Sequence, residues 1–249
     1  MTNENAVKGM SIKKKALIVL CALVSVVVIV ATSVLATVAL LTSSAAVSNV
    51  FTIGNVGITM TETKVDADGK KLASGEQVDT NTYCLVPNKT YDKDPKITVL
   101  EGSQNSYLFV LVRNDISGIA DDGDPVNKPT IAQQMAKNGW AKYTKASTGW
   151  VYVYVGFDEN GVSLVPTSDA DRTEDGAFNY TAHTVNKGTY SLFTQFSIDP
   201  DANISAYGAA KITLTAVAIQ DEGFAGDISK AWAGVVATYP YIHTGGTAN

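Results

Sequence analysis

The chain has 249 residues, 45% of them apolar and 17% charged, which suits one large folded domain or two small ones and excludes a disordered polyelectrolyte or a multi-span membrane protein. Its formal net charge is −5, but residues 1–39 contribute +3 through Lys8, Lys13, Lys14 and Lys15 against Glu4, so the remainder carries −8. An acidic body without a basic cluster repels phosphate backbones, and no nucleic-acid partner is expected.

The first predicted element is a leader. Lys13-Lys14-Lys15 precede Ala16 to Leu41, 26 residues without a charge. A basic segment followed by an apolar run is the layout of a secretory signal, predicted here as a hydrophobic helix. The run is longer than most signals and long enough to span a bilayer, so it also fits a retained anchor. Cleavage is the expectation, with Thr37 and Ala39 as the small residues before a cut at Leu40. A lipoprotein site at Cys21 fails, because Leu20 stands where a small residue is required. Either way the membrane is met only through this segment, and the rest is exported. Loss of Cys21 with the leader leaves Cys84 alone, so the body must rely on an apolar core. Cys84, between Tyr83 and Leu85, is expected to be buried as a small apolar residue.

From Asn49 onward, Phe51, Ile53, Val56, Ile58 and Met60 alternate with Thr52, Asn55, Gly57 and Thr59. That period of two predicts one strand with a buried face, Gly54-Asn55 marking a bulge. Residues 61–82 are polar and read as a loop. Further strands are predicted over 96–100, 107–114, 150–157, 190–198 and 211–219, where β-branched and aromatic residues are bounded by Gly, Asn, Asp or Pro. Weaker candidates are 83–86, 162–165 and 177–184. Two short helices are predicted, 130–137 after Pro129 and 228–236 after an Asp227 N-cap. Many strands, two helices and no βαβ rhythm point to an all-β, antiparallel two-layer sandwich in a single domain, 40–249.

Catalytic chemistry finds little support. His183 and His243 are the only histidines, 60 residues apart and outside any His-Glu-x-x-His context. No Gly-x-Ser-x-Gly elbow or phosphate-binding glycine loop is present. No cofactor and no enzymatic activity are expected. Calcium is the least improbable metal, because Asp66-Ala-Asp68-Gly69, the loop of Asp121, Asp122 and Asp124, and Asp199-Pro-Asp201-Ala-Asn203 cluster hard oxygens. Turns select the same residues for their own hydrogen bonds, and that is the preferred reading. Alternation places Trp150, Tyr152 and Tyr154 on one face, as core or subunit contact or as a sugar-stacking strip.

The string Ser48-Asn-Val-Phe-Thr-Ile-Gly-Asn-Val56, following the leader end Ala36-Thr-Val-Ala-Leu-Leu-Thr-Ser43, resembles the TasA–camelysin family of Gram-positive matrix proteins. Ser48, Asn49, Phe51, Gly54 and Val56 carry the resemblance; Leu85 to Lys96 and Ala231-Trp232 extend it more weakly. The tetrad after the family's signal-peptidase cut is not reproduced, since Leu40-Leu41-Thr42-Ser43 lacks its aromatic and acidic residues. The resemblance implies a jelly-roll-like sandwich, secretion to the cell surface or biofilm matrix, and self-association into fibres by donation of an N-terminal strand. The segment 40–50, with Leu40, Leu41, Ala45, Val47 and Val50, is the donor it implies, unable to pair until the leader is cut. A monomeric adhesin or carbohydrate-binding module is the alternative function. A camelysin-type metalloprotease is less favoured, because no zinc ligand set is recognisable.

Overall fold

The computed structural model describes residues 42–45, 48–121, 124, 126–165, 183–224, 226–240 and 242, together with Ser25, which is helical. The chain divides into two compact units, Met1–Leu41 and Thr42–Asn249, and every element below belongs to the second. The expected cleavage residues Thr37, Ala39 and Leu40 lie outside the described residues, as do Leu41 and Val47.

The second unit is mostly β with two short helices. In chain order the strands are β1 (Thr42–Ala45), β2 (Ser48–Ile53), β3 (Ile58–Thr63), β4 (Gln77–Val78), β5 (Thr82–Cys84), β6 (Thr90–Asp92), β7 (Lys96–Val99), β8 (Ser106–Asn114), β9 (Trp140–Ala146), β10 (Gly149–Tyr154), β11 (Gly188–Ser191), β12 (Gln195–Ser197) and β13 (Ile212–Gln220). The helices are α1 (Ile131–Lys137) and α2 (Ile228–Thr238). A five-stranded sheet runs β2-β13-β8-β10-β9, a four-stranded one β11-β7-β3-β4, and β1-β5 and β12-β6 form two-stranded ribbons. Among the described residues every strand pairing is antiparallel except that of β2 with β13.

The centre of the large sheet explains the most apolar stretches of sequence. Along β8, Leu108, Val110 and Val112 share one hydrophobic cluster with Ile58, Ile97 and Val99 of the four-stranded sheet. Tyr107, Phe109 and Leu111 point the other way and share a second cluster with Ala231, Trp232 and Val235 of α2. A strand covered on both faces needs apolar side chains at every position, which is why Tyr107–Val112 shows no polar alternation. The rings of Phe109 and Trp232 lie 5.1 Å apart and fix the helix to the sheet. Both helix starts are capped. Thr130 and Gln133 form a reciprocal capping box at α1, and the Asp227 carboxylate accepts from Lys230 N–H at α2.

Several sequence expectations need correction. The alternation across 51–60 is not one bulged strand: Gly54 takes φ +87°, and the chain leaves the five-stranded sheet at Ile53 to enter the four-stranded one at Ile58. A side chain at Gly54 would be strained at that φ and would collide with Gln220. The polar segment 61–82 is ordered, with β4 paired to β3 and a Val65–Lys71 bridge beyond it. The stretch 190–198 breaks into β11 and β12, which belong to different sheets. Cys84 is exposed and in no disulfide, because β5 alternates and its buried neighbours are Tyr83 and Leu85.

Candidate functional site

Residues 42–45 and 48–53 are paired within the chain. β1 joins β5 in antiparallel register, Thr42 opposite Cys84 and Ala45 opposite Thr82. β2 lies parallel to β13 over six residues, from Ser48 opposite Leu214 to Ile53 opposite Ile219. The described residues of segment 40–50 thus occupy edges that their own chain offers. Parallel neighbours cannot be joined by a tight hairpin. β2 sits beside the strand farthest from it in sequence, as a segment added to a sheet edge rather than folded from its neighbours.

Side chains secure this edge at its downstream end. The Phe51 ring lies 5.0 Å from that of Tyr239, whose hydroxyl donates to the Thr52 carbonyl at 2.9 Å. Asn55 N–H donates to Gln220 Oε1 at 3.2 Å, closing the turn after Gly54. Val56 is buried, whereas Val50 is exposed. Of the motif residues, Ser48, Asn49 and Phe51 thus lie in the β2 register, Gly54 makes the sheet change, and Val56 enters the core. Among the proposed donor residues, Ala45 lies in β1 and Val50 in β2.

Next to the β1–β5 ribbon sits a polar network that sequence reading misses. Lys93 Nζ is 2.7 Å from Glu62 Oε2, and both side chains are buried. The other carboxylate oxygen accepts Asn81 N–H at 2.9 Å. The Asn81 side chain then accepts from Val65 N–H and donates to the Thr63 carbonyl, so one amide ties the start of β5 to the end of β3. Asp94 takes Thr63 N–H and the Thr63 hydroxyl and pairs with Lys71. Burial pushes the Asp94 carboxyl up, yet the Thr63 donors and Lys71 outweigh it and hold the group below its ordinary value. Burial pulls the Lys93 ammonium below its ordinary value against Glu62, which favours the charged form. The network supplies rigidity to the strand ends beside which β1 pairs.

The other expected sites do not converge. Each acidic loop satisfies its own backbone: Asp66 Oδ1 accepts from Asp68 and Lys70, Asp124 Oδ1 from Val126 and Asn127, and Asp199 Oδ1 from Asp201. Among the described residues no group of three His, Cys, Asp or Glu side chains could hold a metal. His183 is exposed beside Gly156, and His243 lies outside the described residues. Of the aromatic strip, Tyr154 packs between Trp140 and Tyr190, while Trp150 and Tyr152 border a cleft. No family profile, curated protein or solved structure matches the chain.

Proposed function

We propose that this protein is a secreted structural subunit of a Gram-positive bacterium, built on a jelly-roll-like β-sandwich, that assembles into extracellular matrix fibres by exchanging its N-terminal strands. The observation that carries the reading is the β2–β13 pairing. The six-residue strand β2, which follows the expected leader and β1 in sequence, lies parallel to β13 at a sheet edge. The same pairing forms equally well when the strand comes from a neighbouring copy. Repeated head to tail, that exchange gives an open filament, and a strand that moves from its own chain to the next is domain swapping in its simplest form.

The remaining features fit a role in association rather than bond-making. The acidic body stays soluble during export, and the polar network beside β1 keeps the receiving edge fixed. Electron microscopy of the chain recovered from culture medium, together with mass determination of its first residue, tests the reading. Filaments whose subunits begin near Leu40 are expected. Monomers retaining Met1 would refute it.

A further inference from the structure

A cleft of about 580 Å³ opens beside the β9–β10 hairpin, between the end of β8, the first residues of β10, the start of α1 and β12. That is the size of a small-molecule site. Its walls combine three kinds of chemistry. Trp150, Tyr152 and Phe196 supply aromatic surface, Lys142 and Lys145 supply cations, and Asp121 supplies a carboxylate. Lys142 Nζ lies 4.3 Å above the Trp150 ring, and Lys128 pairs with Asp121 at 2.6 Å.

One group in this cleft is left unsatisfied by the fold. Tyr152 is 5% exposed, and its hydroxyl has no hydrogen-bond partner among the described residues. Nothing but burial shifts its acidity, and its pKa rises to about 12. A buried hydroxyl without a partner costs free energy, and phenylalanine would fill the same space without that cost. Tyr152 borders the cleft, so an occupant carrying an acceptor satisfies it.

We propose that this cleft binds an acidic saccharide, a sugar chain bearing carboxylates. A pyranose offers an apolar face to the aromatic wall, oxygen acceptors to the Tyr152 hydroxyl and hydroxyl donors to Asp121. Its carboxylate meets the lysines of the hairpin. A purely apolar ligand leaves the Tyr152 hydroxyl unmatched, and a neutral sugar makes no use of the exposed Lys145 ammonium. The cleft lies within one chain, so the inference stands or falls separately from filament formation.

Titration calorimetry of the full chain with tri-galacturonate, and with neutral galactotriose for comparison, tests it. Saturable binding of the acidic trimer is expected, with much weaker binding of the neutral one. Tyr152→Phe weakens tri-galacturonate binding about tenfold, the loss of one buried hydrogen bond. Lys145→Gln, at an exposed position, weakens the acidic trimer severalfold and narrows its advantage over the neutral one. Thermal midpoints no lower than the parent's establish that both variants are folded. Absence of saturable binding, equal affinity for the two trimers, or full affinity in folded Tyr152→Phe overturns the proposal.

Discussion

Lys93 Nζ and Glu62 Oε2 stand 2.7 Å apart with side chains 1% and 3% exposed, an ion pair sealed inside a β protein. Removing one partner strands the other in a low-dielectric interior. Glu62→Ala and Lys93→Ala are each expected to destabilise the fold by about 3–5 kcal/mol. Replacing both with apolar residues of similar volume, Glu62→Leu with Lys93→Met, is expected to restore most of that loss. Denaturant midpoints of the two single variants and the double variant measure this. A double variant as unstable as the sum of the singles contradicts the assignment of the cost to an uncompensated charge.

Alkaline pH provides a second prediction. Burial raises Tyr83 beyond the ordinary phenolic range and raises Tyr91 and Tyr152 to about 12. The folded chain keeps these protons where the unfolded chain, with ordinary values of 10.0, releases them. Their stabilisation is complete below pH 10 and, for Tyr91 and Tyr152, is lost as pH rises through about 12. Lys93, held low by burial, adds a slope of the opposite sign only up to its ordinary value of 10.5. Unfolding free energy is therefore expected to fall steeply above that point. Tyr152→Phe removes about 2–3 kcal/mol of the total fall. A flat profile in this range contradicts the burial of the three phenols.

Close approach of backbones yields a third. A Cβ at Gly149 would run into the Val112 carbonyl oxygen and the Arg113 Cα of the adjacent strand. Backbone atoms within a paired ladder cannot yield as a side-chain tip does. Gly149→Ala is expected to cost about 1–3 kcal/mol by overpacking. Thermal unfolding checks this, and an unchanged midpoint would mean the β9–β10 hairpin is free to shift.

The parts of the fold legible in the sequence are those whose environment is uniform. β8 and β13 are covered on both faces and read as continuous β-branched and aromatic runs, while α1 and α2 announce themselves by Thr130 and Asp227. β9 escapes local pattern because Lys142 and Lys145 interrupt it, as charges do on an edge strand. Lys93 escapes for a similar reason: a lysine reads as surface until its carboxylate, 31 residues away, is seen beside it. Gly54 is visible as an irregularity, but its consequence, a change of sheet, depends on partners at Val99 and Ile219 far along the chain. The cleft is half legible. Alternation puts Trp150 and Tyr152 on one face, whereas the opposite wall comes from residues 116–117, 120–121, 129–132 and 196–197, which local pattern cannot bring there.

Strand exchange between copies can be read from one engineered disulfide. Thr42 in β1 stands opposite the native, exposed Cys84 in β5. In a chain carrying Thr42→Cys, with Cys21→Ser to remove the other native thiol, oxidation joins whichever β1 and β5 are actually paired. Extracellular material run on a non-reducing gel is expected to give a ladder of covalent multimers that collapses to one band on reduction. A single monomeric band, with the introduced thiol linked to Cys84 of its own chain, would show that every chain keeps its own strand, and would contradict assembly by exchange.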